Sequence, residues 1–395
     1  IPLRLAKRLT DVVQEKWASG ELLSKVTPTT QDLLKYWFME PHTTVRRENF
    51  HEGQMRSILN LIYLHEVQQV GTVTDIYTAV QESLLLEMPG ALDKPKYKIP
   101  KYAVKMATGT GKTWVMHALL LWQYLNARHE GKPSGRYSKN FLLVAPGLIV
   151  YERLLDAYLG KENKRGERVF EKSDFFQFQH LLIPPPFRQE AFGFVRSSVV
   201  RKDEITTRVT GDGMIIITNW HIFMDKEKPE DAGSPLDNPT QIVQDLLPLT
   251  PGTSGGNDLK SLDAAYLRGG EIDFLSKLKD LVVINDEAHH IHENKSYGEV
   301  EEVEWQKSLN RIAEKKGKSF IQIDFSATPF DVTGSGQKRT RHYFPHVISD
   351  FDLVQAVKRG LVKTIAIDKR KEIVELKIDF KAVRDGSHSV MGLSG

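Results

Sequence analysis

The sequence predicts an α/β protein built on a doubly wound parallel sheet. From Tyr102 onward, short apolar runs alternate with amphipathic stretches. Strands that are buried on both faces are typical of a parallel sheet covered by helices, because neither face meets water. Regular alternation of such runs with helices favours parallel strands joined by crossover helices.

The elements are predicted in chain order. Residues 1–90 are expected to be mostly helical, because apolar side chains such as Leu33 and Trp37 recur at helical spacing. Pro89–Pro100 is expected to be a connecting loop, since it holds several prolines and lysines. Thr113–Arg128 is predicted to be a helix. The predicted strands are Ala103–Ala107, Phe141–Ala145, Met214–Thr218, Leu281–Asn285 and Phe320–Ser326.

Three parts are expected along the chain: a helical N-terminal region (residues 1–90), the α/β domain (residues 91–365), and a linker or the start of a following region (residues 366–395). Residues 225–260 are rich in Pro, Gly, Asp and Ser. Such a composition buries little apolar surface, so a flexible inserted loop is predicted there. The tail from Ala382 to Gly395 is expected to be a linker or a frayed end.

The composition excludes several classes of protein. Hydrophobic residues make up 40% and charged residues 27%, as in globular proteins with a real core. No apolar run approaches the roughly 18 residues that cross a bilayer, so no membrane association is predicted. The chain has no cysteine, which excludes disulfides and thiolate sites, and a cytoplasmic location is expected. The net charge of +3 is compatible with nucleic acid without arguing for it.

A glycine-rich segment, Met106-Ala-Thr-Gly-Thr-Gly-Lys-Thr113, lies between the first predicted strand and the predicted helix. Its glycines allow backbone N–H groups to face a chain of phosphates, and the helix N-terminus adds its positive end. Lys112 is expected to contact the β and γ phosphates, and the Thr113 hydroxyl to bind Mg²⁺. The predicted ATP-binding residues are Thr108, Gly109, Thr110, Gly111, Lys112 and Thr113.

The second candidate segment is the predicted strand Leu281–Asn285, which is followed by two adjacent acids, Asp286 and Glu287. Because ligands bind at the carboxyl edge of a parallel sheet, these acids are expected beside the phosphate loop. Asp286 is predicted to hold Mg²⁺, and Glu287 to orient and deprotonate the attacking water. Adjacent strand residues point to opposite sides, so the acids can divide these roles only where the strand turns into a loop.

A metal site is the alternative interpretation of the histidines that follow these acids. His289, His290, His292 and Glu293 could supply ligands, but they lack the i, i+4 spacing of a helical zinc pair. A motif histidine followed by a polar loop is therefore preferred.

Six segments in a fixed order resemble the motifs of superfamily 2 helicases. They include an A-x-x-G-x-G-K-T phosphate loop and the DEAH tetrad Asp286–His289. The resemblance implies a RecA-like fold. Phe50-His-Glu-Gly-Gln54 is similar to the Q motif, which implies that Gln54 reads adenine. Asp324-Phe-Ser-Ala-Thr-Pro329 is similar to motif III, which implies that His289, Ser326 and Thr328 couple hydrolysis to strand movement.

The remaining two segments resemble motifs Ia and Ib of the same superfamily. They are Val144-Ala-Pro-Gly-Leu148 and Ile217-Thr-Asn-Trp220, each after a predicted strand. The resemblance implies that Pro146, Gly147, Thr218 and Asn219 contact the phosphates of a nucleic-acid strand.

The finer resemblance, over roughly residues 50–365, is to the restriction subunits of type III and type I enzymes. It is carried by the phosphate-loop wording, by Pro146-Gly-Leu-Ile-Val-Tyr-Glu-Arg153 and by residues 349–363. It implies an ATP- and Mg²⁺-dependent translocase acting on DNA, or on RNA. It also implies a methyltransferase or other defence-system subunit as partner, and any nuclease would lie outside this chain.

The arginine-finger motif of this superfamily, Gln-x-x-Gly-Arg-x-x-Arg, does not occur in the 395 residues. Gln337–Arg341 has the charges but not the glycine, and is predicted to be a basic loop. A second RecA-like domain in a longer parent chain is therefore expected to supply the arginines. Two alternatives stay open: a general DNA or RNA helicase outside defence, and a nucleotide-switched binding module with little turnover.

Overall fold

The structure is a computed structural model. It describes residues 1–130, 136–205, 207–208, 210–219, 271–290, 293–296, 299–302, 304–333, 340–362, 379–385 and 388–394. The predicted insertion at 225–260 lies outside the described residues, as do Trp220 and His292.

A seven-stranded sheet forms the centre of the α/β domain. Its strands follow the order β11-β1-β8-β5-β2-β4-β3, and every neighbouring pair is parallel. This confirms the predicted α/β fold with a parallel sheet. The strands are Lys101–Met106 (β1), Asn140–Ala145 (β2), Val199–Arg201 (β3), Met214–Asn219 (β4), Leu281–Asn285 (β5), Glu293–Ser296 (β6), Glu299–Glu302 (β7), Phe320–Ser326 (β8), Phe330–Thr333 (β9), Thr340–Tyr343 (β10), Val347–Phe351 (β11), Asp379–Asp385 (β12) and His388–Ser394 (β13).

Helices cover both faces of this sheet. One helix of residues 271–277 (α12) packs with the helix Glu304–Lys316 (α13) on the face opposite the helix Lys112–His129 (α7). In the part of the chain described, no helix is long and apolar enough to cross a membrane. The other helices are Pro2–Ala18 (α1), Glu21–Lys25 (α2), Pro28–Phe38 (α3), His42–Val45 (α4), Glu52–Ile62 (α5), Val73–Gln81 (α6), Lys112–His129 (α7), Leu148–Leu159 (α8), Asp174–Gln177 (α9), Gln179–Leu182 (α10), Arg188–Ser198 (α11), Glu304–Lys316 (α13) and Leu353–Lys358 (α14).

The helical N-terminal region shares its core with the sheet. Apolar residues of α1, α3 and α5 belong to the same buried cluster as those of β1 and α7. The edge strand β11 is held by α5: the Asn60 side-chain amide donates to the Ile348 carbonyl at 2.8 Å, and the Ser57 and Ser349 hydroxyls lie 2.8 Å apart. The region is therefore packed as part of the α/β domain, with α5 beside the phosphate-loop strand.

Two local predictions were wrong. The tail from Ala382 is not a frayed end, because β12 and β13 form an antiparallel ladder in which Val383 pairs with Val390. That residues 366–395 are a linker or the start of a following region stays a prediction. The predicted basic loop Gln337–Arg341 is not all loop either, since Thr340 and Arg341 begin β10, which pairs antiparallel with β9.

Candidate active site

The phosphate loop joins the carboxyl end of β1 to α7. Gly109 and Gly111 have φ values of 81° and 75°, in the left-handed region that favours glycine. A Cβ at Gly111 would also lie 2.5 Å from the Gln54 side-chain nitrogen, so a larger residue there would displace the Gln54 amide. The loop delivers Lys112 and Thr113 to the first turn of an 18-residue helix, whose N-terminal N–H groups favour an anion.

The phosphate loop is held in place by the N-terminus of α5. Gln54 is buried, and its side-chain nitrogen donates to the Gly111 carbonyl at 3.1 Å, while its oxygen accepts the His51 backbone N–H. His51 accepts the Gly53 N–H at Nδ1, so its Nε2 carries the proton and donates to the Thr110 carbonyl at 2.8 Å. Burial lowers the pKa of His51, which favours this neutral form. Adenine reading by Gln54 stays a prediction.

The two acids lie where β5 ends. The Asp286 N–H still bonds the Val144 carbonyl at 2.9 Å, as in a strand. Glu287 has a φ of 48°, a conformation that non-glycine residues adopt rarely and at a cost. The chain thus turns between the two acids. Burial raises the pKa of Asp286, and the nearby Lys112 acts in the opposite direction.

Lys112 and Glu287 form an ion pair that joins the phosphate loop to the acid pair. A chain of contacts continues from there. The other Glu287 oxygen lies 3.6 Å from His289 Nδ1, which lies 2.9 Å from the Ser326 hydroxyl. That hydroxyl accepts the Thr328 N–H at 3.0 Å. The structure therefore brings together the residues predicted for catalysis and those predicted for coupling.

The oxygen groups at this edge suit Mg²⁺ and a triphosphate. Mg²⁺ prefers a few protein oxygens together with substrate phosphates, and Thr113 and Asp286 supply a hydroxyl and a carboxylate. Within the described ranges, no group of three or more His, Asp or Glu side chains could hold a metal by itself. Of the candidate ligands of the alternative metal site, His292 lies outside those ranges.

The four residues predicted to contact nucleic acid differ in their exposure. Pro146 and Gly147 follow β2 and are partly exposed. Thr218 and Asn219 are buried in β4, which runs one residue further than predicted and so includes Asn219 as well as Thr218. Contact of these four residues with phosphates stays a prediction.

Two residues near the site escaped sequence reasoning. His51 contacts the phosphate loop from α5, and its only signal was its place inside the Phe50–Gln54 segment. Asn285 bonds the Asp324 carboxylate at 2.7 Å. An amide at the end of an otherwise apolar strand, beside a strand with a matching acid, was the signal for that contact.

The fold and this site define a class: a RecA-like, helicase-like domain of superfamily 2. The family described as type III restriction enzyme, res subunit, matches residues 68–331, and the chain belongs to this family. No curated protein matched the sequence. The match confirms the resemblance to the restriction-subunit branch.

Proposed function

We propose that the chain hydrolyses ATP to ADP and phosphate as the motor subunit of a restriction or related antiviral defence system, moving along duplex DNA. The observation that supports the proposal is the ion pair between Lys112 and Glu287, because the proposed phosphate-binding cation and the proposed base are then neighbours at one edge of the sheet. Membership of the restriction-subunit family supports the same conclusion.

Each residue has a separate role in this proposal. Backbone N–H groups of residues 108–113 and the Lys112 ammonium bind the phosphates. Thr113 and Asp286 hold Mg²⁺, which neutralises charge on the phosphate oxygens. Glu287 orients the attacking water and accepts its proton. The contact between His289 and Ser326 then links the acid pair to motif III.

Nucleic acid is proposed to bind along the carboxyl edge of β2 and β4. Gly147 lies between β2 and α8, at the N-cap of that helix. Leu148 and Ile149 in the first turn of α8 are exposed. The contacts involve phosphates, so binding should weaken as salt rises. Thr218 and Asn219 would contribute mainly through the backbone at the end of β4, since their side chains are buried.

Steady-state ATPase activity tests this function. An arginine finger contributes about 10³–10⁵-fold to the rate. Since the 395 residues lack the arginine motif, they should hydrolyse ATP slowly, and a parent protein with a second RecA-like domain should be stimulated by duplex DNA. Glu287→Gln in the parent protein sets the background rate.

Two outcomes would replace the proposal, and a third would correct its account of the arginine finger. Stimulation by RNA but not by duplex DNA would favour a general helicase. ATP binding with no turnover above the Glu287→Gln background would favour a nucleotide-switched module. Strong DNA stimulation of the 395 residues alone would mean that the finger comes from this chain or from self-association.

A further inference from the structure

A row of buried polar side chains crosses the sheet near the acid pair. Each is at most 1% exposed. The row lies on the face of the sheet that α13 covers, opposite the phosphate loop helix. Its members are Lys101 on β1, Gln322 and Asp324 on β8, Asn285 on β5, Gln306 on α13 and His346 before β11.

Asp324 lies at the centre of this row. One of its carboxylate oxygens accepts from the Asn285 amide at 2.7 Å and from the Gln322 amide at 3.0 Å. The other accepts from His346 Nε2 at 2.9 Å and lies 3.9 Å from the Lys101 ammonium. Burial lowers the pKa of His346 to about 4, so the imidazole is neutral and donates one proton to the carboxylate.

The orientation of the Asn285 amide is determined by its partners. Asp324 can only accept in this contact, so the Asn285 nitrogen must face it. The indole N–H of Trp305 can only donate, and it lies 3.4 Å from the Asn285 oxygen. Asn285 therefore bridges the sheet to the first turn of α13.

We propose that Asn285 and Asp324 are positioning residues that keep the acid pair of β5 in register with motif III of β8; this rests on the proposed ATPase function. The two residues are direct partners in the parallel register of β5 and β8. Asn285 immediately precedes Asp286, and Asp324 lies two residues before Ser326. Their bond therefore joins β5, which leads directly into Asp286 and Glu287, to β8, whose Ser326 contacts His289.

Stability alone is a weak reason for such a row. Replacing buried ionic groups with apolar side chains of similar size is often neutral or stabilising, whereas a satisfied network restricts the geometry around it. The bond between Asn285 and Asp324 is the member of the row that joins the two motif strands through side chains. Gln306 on α13 offers a contrast, because it accepts from Lys101 of β1 at 3.0 Å and from the Gln322 amide of β8 at 3.1 Å, and so joins α13 to these strands instead of joining β5 to β8.

The test compares Asn285→Leu with Gln306→Leu in the parent protein, at the same temperature and after measuring the free energy of unfolding of each. Both changes remove a buried amide from the row. Asn285→Leu should lower kcat by roughly 10–100-fold while the KM for ATP changes by less than about threefold. Gln306→Leu should lower the free energy of unfolding by a similar amount, and its kcat should stay within about threefold of the wild-type value.

Amide hydrogen exchange without nucleotide is the second measurement. In Asn285→Leu the Glu287 and Thr328 amides should exchange faster, and in Gln306→Leu they should not. Should Asn285→Leu fail to fold, Asn285→Thr and Asn285→Val replace it, since they share a shape and only threonine can donate to Asp324. The threonine variant should then have the higher kcat.

Equal kcat values for the two leucine variants at equal stability would overturn the proposal, and so would unchanged exchange at Glu287 and Thr328. A wild-type protein without ATPase activity would instead contradict the proposed function. In that case the exchange measurement still decides whether Asn285 orders the two motif strands.

Discussion

The Lys112 ammonium is paired with the Glu287 carboxylate between the phosphate loop and the end of β5. The same ammonium is the group proposed to bind the β and γ phosphates. The ammonium cannot bind both the phosphates and the Glu287 carboxylate as strongly as it binds either one alone. ATP binding should therefore weaken the ion pair and leave Glu287 free to accept a proton from water. If both proposed roles hold, nucleotide binding and the charge environment of the proposed base are linked through this pair.

Glu287→Gln should separate binding from hydrolysis. Glutamine keeps the size of the side chain but loses the base, so the hydrolysis rate should fall by roughly 10²–10⁴-fold. The Kd for ATP should stay the same or decrease, because Lys112 no longer has a charged competitor. Single-turnover hydrolysis and titration calorimetry measure the two effects. Hydrolysis at the wild-type rate would show that Glu287 is not the base.

Asp286→Asn should act on Mg²⁺ instead. The carboxylate is a proposed Mg²⁺ ligand, and an amide oxygen is a weaker one because it carries no charge. ATP affinity measured with Mg²⁺ should fall by roughly tenfold or more, whereas affinity measured in EDTA should change little. The account would be contradicted by a variant that keeps the full gain in affinity that Mg²⁺ gives the wild type.

The sequence predicted the sheet centre better than its edges. The runs at β2, β5 and β8 are mostly apolar, and their predicted limits match the strands to within one residue. Strand β11 was not predicted, because Ser349 and Asp350 make it look like a loop. In the folded chain Ser349 meets Ser57, and Asp350 pairs with Lys105. Partners from distant parts of the chain satisfy these polar groups, and local sequence does not reveal them.

The site was predictable where local chemistry defines it. Strand, glycine loop and helix place Lys112 and Thr113 without knowledge of the rest of the chain. The position of Glu287 depended on a turn, and its φ of 48° shows where that turn falls. The contact between Asn285 and Asp324 depends on the register of β5 and β8, which are neighbours in the sheet although β6, β7 and α13 lie between them along the chain.

His117 is predicted to destabilise the protein. It lies in α7, fully buried against the Tyr158 and Phe175 rings, and neither ring nitrogen has a hydrogen-bond partner among the described residues. Burying an unpaired polar group costs about 1–3 kcal/mol. His117→Phe should therefore raise the free energy of unfolding by about this amount, less any cost of the larger ring. Urea unfolding at pH 7 measures it.

The same variant should change the pH dependence of stability. Burial lowers the pKa of His117 from about 6.5 to about 3, so below pH 6.5 the unfolded chain binds a proton that the folded chain does not. Wild-type stability should then fall as pH drops from 6.5 toward 4, by about 1 kcal/mol per pH unit more than that of His117→Phe. Parallel pH profiles for the two proteins would contradict the burial of a neutral imidazole.

Lys112→Ala tests the nucleotide site most directly, by titration calorimetry of ATP with Mg²⁺. Lys105→Ala is a matched control, because its ion pair with Asp350 is buried almost equally: side-chain exposures are 9% and 25%, against 10% and 23% for Lys112 and Glu287. Lys112→Ala should weaken ATP binding by about 10–100-fold, the loss expected for a hydrogen bond between charged groups. Lys105→Ala should stay within about threefold of the wild type. An unchanged Kd for Lys112→Ala, or an equal loss in both variants, would contradict the assignment of the phosphate loop.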